Sequence, residues 1–226
     1  MIRISNLSKS YGNKEVLKNI NIDFEEGKVY GIMGENGAGK TTLFRCIADL
    51  EKYSGNVDSG NDILKNKLGF LQTVPYFFTK ITGKEYIRLL CNSREKEVEN
   101  IERNNLFDLP LNEFASTYST GMKKKLAITA LLMQENKFFI LDEPFNGVDI
   151  QSNIIIMEII KKLKSLNKII LISSHIFSTL RESCDEINLL KNGEFISKSN
   201  KGDFDKLEKM MIESIIENKV ENLDIK

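Results

Sequence analysis

The stretch GENGAGKTT, residues 34–42, follows the apolar run KVYGIM at 28–33 and leads into TTLFRCIADL, which has the composition of a helix. It matches the pattern G-x-x-x-x-G-K-[ST] in the context that gives this pattern its meaning, between a buried strand and a helix. Gly34, Gly37 and Gly39 permit backbone conformations that turn N–H groups inward, toward phosphate oxygens at the positive end of a helix dipole. The sequence therefore predicts a phosphate-binding loop here.

The side chains of this loop complete a triphosphate site. Lys40 is expected to reach the β- and γ-phosphates of a nucleotide, and Thr41 to place its hydroxyl on Mg²⁺. The predicted nucleotide contacts in the loop are Gly34, Glu35, Asn36, Gly37, Ala38, Gly39, Lys40, Thr41 and Thr42. The alternative is a tight strand-to-helix turn that binds no ligand.

Two acids follow an apolar strand in FFILDEP, residues 138–144. Asp142, predicted at the exposed end of this strand, suits a role at Mg²⁺, and Glu143 suits a general base that polarises the attacking water. Taken alone, the segment is equally a strand end capped by solvated acids. Together with the phosphate-binding loop upstream, the pair favours a P-loop nucleotide hydrolase that acts on ATP or GTP.

A third segment, YSTGMKKKL at 118–126, stands immediately before a predicted helix and the FFILDEP strand. This arrangement resembles the signature segment of ABC-type ATPases, whose common form is LSGGQ, although YSTG alone is also a good helix cap. The rest of the chain matches the family in order: Tyr11 at the adenine-stacking aromatic, Gln72 at the glutamine loop, FNGVD at 145–149 at the D-loop, and His175 at the switch histidine. The motifs cover nearly the whole chain.

The resemblance implies a role for each matched residue. The implied catalytic residues are Lys40, Gln72, Glu143 and His175, and the implied Mg²⁺ ligands are Thr41, Gln72 and Asp142. The family also forms dimers in which two ATP molecules are sandwiched head to tail. Contacts to the nucleotide of the other subunit are implied for Ser119, Thr120, Gly121, Met122 and Asp149.

The signature segment departs from the family pattern at two positions. Thr120 and Met122 stand where glycine and glutamine are usual, but Ser119 and Gly121 remain. A serine hydroxyl and a glycine amide at a helix N-terminus form an anion site. We therefore expect a working signature, in a homodimer or in a heterodimer with another ABC ATPase subunit.

The resemblance implies an α/β fold with a P-loop NTPase core, a mainly parallel sheet, an N-terminal antiparallel β subdomain and a helical subdomain. The implied boundaries within a single domain are 1–73 and 135–202 for the core, 74–134 for the helical subdomain and 203–226 for a C-terminal helix or tail.

Local patterns support several of these elements. MIRISNL at 1–7 and KNINIDF at 18–24 alternate like an antiparallel strand pair. Thr82 and Glu85 have the spacing of a capping box, which predicts a helix start. Asn192-Gly193 separates two alternating runs, which predicts a hairpin.

Composition narrows the classes of partner. The chain has 226 residues, 41% of them hydrophobic, which suffices for a sizeable core. Lys plus Arg and Asp plus Glu both number 32, so the net charge gives no sign of a nucleic-acid partner.

The apolar runs are far shorter than the roughly 20 residues of a membrane-spanning helix. Without a secretory signal at the start or a cysteine pattern typical of disulfides or metal sites, the cytosol fits best.

A single ATPase domain of this kind resembles the separate ATP-binding subunit of a transporter, bound to the inner face of the membrane through a transmembrane permease. Tyr76, Phe77 and Phe78 are either contacts for that permease or core residues. The YSTGM form of the signature resembles exporters more than solute importers. The alternatives are a soluble ABC ATPase and a regulatory nucleotide-binding module, and Glu143 and His175 argue against the latter.

His175 is the only histidine in the chain. A metal site is disfavoured because no second histidine and no cysteine cluster accompany it. A hydrogen-bonded structural histidine is the simpler alternative. The role implied by the resemblance is a γ-phosphate contact that orients the attacking water and Glu143, at the sheet edge where Asp142 lies.

Overall fold

Two β-sheets and six α-helices form residues 1–60 and 63–215, the part of the chain that the computed structural model describes. The strands are β1 Ile2–Tyr11, β2 Lys14–Phe24, β3 Val29–Met33, β4 Ser54–Asp58, β5 Leu68–Leu71, β6 Phe138–Asp142, β7 Ile169–Ser174, β8 Glu186–Lys191 and β9 Glu194–Asn200. The α-helices are α1 Lys40–Ile47, α2 Gly83–Asn92, α3 Thr120–Met133, α4 Ile150–Ser165, α5 Phe177–Ser183 and α6 Phe204–Ile215.

The larger sheet has the strand order β5-β6-β7-β3-β8-β9, and all its pairings are parallel except that of β8 with β9. Its inner strands are buried on both faces, which explains why they appear in the sequence as continuous apolar runs. Since β7 lies between β3 and β6, the carboxyl ends of these three strands meet at one edge. That edge carries the phosphate-binding loop and the FFILDEP acids, and the predicted fold class is confirmed.

The smaller sheet is antiparallel, with the order β2-β1-β4. The pairing of β1 with β2 was predicted from their alternation. The third strand was not predicted, because SGNVD is polar and mostly exposed and shows no apolar alternation. Its pairing with β1 places Val57 opposite Ile4. An apolar core fills the space between this sheet and the larger one, with Phe24 and Phe44 fully buried.

The segment 74–134, expected to form the helical subdomain, contains two α-helices, α2 and α3. The capping box at the start of α2 is present, since the Thr82 side chain accepts from the Glu85 amide and the Glu85 carboxylate accepts from the Thr82 amide. Between the two helices, residues 93–119 contain only short 3₁₀ turns at Glu102–Asn104 and Ala115–Thr117, so the helices occupy only part of this segment.

The predicted C-terminal helix is α6, and residues 216–226 of the predicted 203–226 segment lie outside the described residues. The proposed subdomain boundaries stay a prediction. Within the described ranges, every helix is too short or too polar to span a bilayer.

Candidate functional site

The phosphate-binding loop joins β3 to α1 through glycines with left-handed backbone angles. Gly37 has φ 86° and Gly39 has φ 109°, a region that side chains disfavour. Gly39 also permits a close approach, because a Cβ there would lie 2.9 Å from the Leu17 side chain on β2. The loop therefore folds tightly against β2, with the N-terminus of α1 facing its interior.

Lys40, the first residue of α1, lies over this loop with its side chain almost completely buried. Its Nζ donates to the carbonyl oxygens of Gly34 at 2.7 Å and Glu35 at 3.3 Å. The same Nζ is 3.7 Å from Oε1 of Glu143. A single ammonium group thus links the loop to the catalytic acid predicted from the sequence.

Asp142 is fully buried, at 0% exposure, so the expectation of an exposed strand end was wrong. The physical reason is that β6 is an inner strand and hydroxyl groups cover its carboxyl end. Oδ2 of Asp142 accepts from Thr41 Oγ1 at 2.7 Å and from Thr73 Oγ1 at 2.5 Å, and Oδ1 accepts from Ser173 Oγ. A buried carboxylate needs such partners to offset its desolvation.

Glu143 lies at the centre of the remaining contacts. Its backbone has φ 49°, and its N–H donates to Ser173 Oγ at 2.9 Å. Its Oε2 is 3.1 Å from Nδ1 of His175, which follows β7 directly. A protonated Nδ1 would donate to this carboxylate oxygen. His175 lies at the sheet edge predicted from the sequence, and its role remains a prediction.

The chain matches the protein-family model described as ABC transporter over residues 17–146. It belongs to the ABC transporter family. Lys40, Thr41, Asp142, Glu143 and His175, predicted from separate segments, lie together in this ABC transporter protein as the geometry above describes.

Relatives agree with this assignment over nearly the full chain. The bacitracin transport ATP-binding protein BcrA of Enterococcus faecalis is 32% identical over 221 residues, covering 88% of this chain and 69% of the relative. The lantibiotic transport ATP-binding protein SrtF of Streptococcus pyogenes is 30% identical over 230 residues, covering 96% and 98%. A solved structure of the ATP-binding subunit of an ABC transporter is 25% identical with a TM-score of 0.85, covering 94% and 98%. The chain is accordingly an ATP-binding ABC transporter subunit with ATPase activity.

The segment that resembles the ABC signature forms the start of α3. Ser119 is the N-cap and accepts from the Met122 amide at 3.2 Å, and both Ser119 and Thr120 are exposed. Gly121 packs against the D-loop of the same chain, since a Cβ on it would lie 2.7 Å from the Gly147 carbonyl oxygen. The exposed N-terminus of α3 is thus available to an anion from outside this chain.

Asp149 ends the D-loop and caps α4. Its carboxylate accepts from Lys125 Nζ at 2.9 Å, and from the Ser152 amide at 2.9 Å and hydroxyl at 2.8 Å. The bond from Lys125, followed by those from Ser152, holds the pKa of Asp149 well below its usual range. Asp149 is therefore a charged anchor for the D-loop.

Two predicted residues lie away from this cluster. Gln72 is exposed and lines a cavity beside α2, whereas its neighbour Thr73 reaches Asp142. Tyr11 is 46% exposed, with Lys9 Nζ 4.4 Å from its ring centroid. The cavity at the phosphate loop is also lined by Lys14, Lys18 and Asn192, none of which was predicted as a site residue; Asn192 was predicted only as part of a hairpin turn.

The aromatic residues at 76–78 were predicted to be either permease contacts or core residues, and they differ in burial. Phe77 packs on Tyr86, with ring centroids 4.4 Å apart, and belongs to the core. Tyr76 and Phe78 are 71% and 54% exposed and contact each other edge to face at 5.5 Å. Two aromatic side chains therefore remain at the surface.

Proposed function

We propose that this chain hydrolyses Mg²⁺-bound ATP to drive export through a separate transmembrane permease. The observation that carries the chemistry is the position of Glu143, whose carboxylate lies 3.7 Å from Lys40 and 3.1 Å from His175. Lys40 binds the β- and γ-phosphates, Glu143 polarises the attacking water, and His175 orients Glu143 and the γ-phosphate.

The donor set at Asp142 fits Mg²⁺, which prefers oxygen ligands and keeps several of its waters. Thr41 and Asp142, whose oxygens are 2.7 Å apart, would hold the ion, which supplies neutralisation of charge on the phosphates. Gln72 is the third proposed ligand, and it lies next to Thr73, which already reaches Asp142. Among the described residues, no group of three or more His, Cys, Asp or Glu side chains could hold a metal ion.

The proposed nucleotide site consists of the phosphate-binding loop and an aromatic side chain that contacts the base. The proposed contacts are the amides and side chains of Gly34, Glu35, Asn36, Gly37, Ala38, Gly39, Lys40, Thr41 and Thr42. Tyr11, half exposed at the end of β1, is proposed to stack on the adenine. These assignments follow the correspondence of this chain with the family motifs.

The proposed partner is a membrane protein that docks against Tyr76 and Phe78, because exposed aromatic side chains are effective contact anchors. Through it the chain would be peripheral to the inner face of the cell membrane. The names of two relatives, which refer to bacitracin and lantibiotic transport, support an exported compound of that kind. A balanced charge of 32 basic and 32 acidic residues offers no support for a nucleic-acid partner.

Co-purification tests the transporter assignment. The tagged chain, expressed with a candidate polytopic membrane protein from a neighbouring gene, is expected to be retained in the membrane fraction and to release phosphate from ATP only with Mg²⁺ present. A Tyr76→Ala/Phe78→Ala double variant should lose the membrane partner, whereas an Ile63→Ala variant, which changes another exposed apolar residue, should keep it. Association with ribosomes or DNA, without any membrane partner, would contradict the transporter function.

Ser119→Arg tests the proposed dimer, in which Ser119, Thr120, Gly121, Met122 and Asp149 contribute across the interface. A single subunit of the variant is expected to bind ATP with the affinity of the wild type, because Ser119 does not line the cavity at the phosphate loop. ATP-dependent dimerisation should be lost, since a bulky side chain then occupies the anion site of the N-cap. Light scattering with and without ATP measures this, and dimerisation of the variant would exclude the cross-subunit role.

A further inference from the structure

A buried lysine joins the signature helix to the catalytic acid of the same chain. Lys124, in the second turn of α3, donates from Nζ to the carbonyl oxygen of Glu143 at 2.6 Å and to that of Asn146 at 2.8 Å. Its side chain thus bridges both ends of the turn that follows β6. This contact is separate from the cavity at the phosphate loop, whose lining does not include Lys124.

The position of Lys124 is costly for the fold. The residue is 1% exposed, and burial lowers the pKa of its ammonium group, while Glu143 and Asp142 oppose that shift. After the ion-paired Lys125, α3 is buried from Leu126 to Leu131, and these residues are apolar apart from Thr129. An apolar side chain would avoid the desolvation of a charge, so the folded core alone does not account for a lysine here.

Lys124 contacts a residue, Glu143, whose backbone conformation is unusual. Glu143 has φ 49°, in a region where residues other than glycine are uncommon and persist only when their surroundings hold them. Lys124 fixes the carbonyl of this residue and Ser173 fixes its N–H. The peptide groups on both sides of the Cα are therefore held, which sets the direction in which the Glu143 carboxylate projects.

Two further contacts extend the connection along the D-loop. They are the Lys125–Asp149 ion pair at 2.9 Å and the packing of Gly121 against Gly147. With Lys124, they tie the first two turns of α3 to the segment 143–149. A displacement of the signature helix would therefore be transmitted directly to the backbone of Glu143.

We propose that Lys124 is a positioning residue for ATP hydrolysis, which couples the signature helix to the orientation of Glu143 in its own chain. This inference rests on the proposed function, in which the N-terminus of the signature helix binds the nucleotide of the partner subunit. Engagement of the helix by one nucleotide then adjusts the acid that acts on the other. Lys124 itself touches no substrate.

Lys124→Met tests the coupling in the full-length chain with MgATP. Loss of both bonds is expected to lower kcat by about 30-fold, in the range typical of residues that orient a reactive group, with KM for ATP unchanged within about twofold. Lys124→Gln keeps an amide donor on a shorter side chain and should lower kcat only about threefold. Amides of residues 143–149 should exchange hydrogen faster in the methionine variant, and Lys162→Met, at an exposed position of α4, should match the wild type.

The outcomes separate this inference from the proposed function. A kcat of Lys124→Met within twofold of Lys162→Met, or a change in KM alone, would overturn the positioning role. If the methionine variant fails to fold, the role would be overturned equally by a Lys124→Gln variant whose amides at 143–149 exchange faster while its kcat matches that of Lys162→Met. Should Glu143→Gln abolish turnover while Lys124→Met does not, the coupling alone is wrong; if neither variant affects turnover, the proposed role of Glu143 is wrong as well.

Discussion

Glu143→Gln is expected to lower the ATP turnover of the purified chain by about 1,000-fold, because positioned general bases contribute about 10² to 10⁴ in rate. The amide has the size of the carboxylate and can still contact His175, which lies 3.1 Å from Oε2. It cannot take a proton from water. ATP binding should persist and strengthen slightly, since removal of a negative charge 3.7 Å from Lys40 reduces repulsion of the phosphates. Phosphate release and equilibrium nucleotide binding measure the two effects.

A matched control separates loss of the base from loss of a charge. Glu158→Gln removes a carboxylate at an exposed position of α4, where Glu158 pairs with Lys161, and should leave turnover unchanged. If Glu143→Gln retained more than about a tenth of wild-type turnover, another group would have to serve as the base. If the wild-type chain bound ATP without turnover alone or with its membrane partner, the chain would be a regulatory nucleotide-binding module.

The phosphate-binding half of the site could be predicted because its requirements are local. The glycines at 37 and 39 have φ angles of 86° and 109°, and Lys40 starts α1, so one continuous segment encodes the whole loop. The strands β6 and β7 were also evident, since strands covered on both faces are apolar throughout. The edge at which they meet follows from their parallel arrangement.

The surroundings of Asp142 depend on contacts that no local pattern reveals. Its hydroxyl partners Thr41, Thr73 and Ser173 are separated from it by 101, 69 and 31 residues in sequence. The strand order β5-β6-β7-β3 brings them together, because Thr73 follows β5, Ser173 lies on β7 and Thr41 follows β3 through the phosphate loop. Single threonines and serines are common in loops, so neither Thr73 nor Ser173 was distinguishable as part of a site.

The burial of Lys124 also could not be predicted from the sequence. In the sequence it is the middle of three consecutive lysines, a pattern typical of a solvated helix face. It is nevertheless 1% exposed, and its ammonium group donates hydrogen bonds to the carbonyl oxygens of Glu143 and Asn146. The hydrogen-bond acceptors of Lys124 are backbone groups of a turn that forms only in the folded chain. A pattern of side-chain types in the sequence therefore cannot reveal them.

Lys40→Ala is expected to weaken ATP binding by about 100-fold, because hydrogen bonds to charged groups contribute about 1.5 to 3 kcal/mol each and Lys40 is proposed to serve two phosphates. Its ammonium is nearly buried over the loop, where it donates to the carbonyl oxygens of Gly34 and Glu35. The loss for ADP should be smaller than for ATP, since one of the two phosphates is absent. Titration calorimetry with both nucleotides measures this, and Lys161→Ala, at an exposed position of α4, is the control. ATP affinity of Lys40→Ala within threefold of wild type would show that the phosphates bind elsewhere.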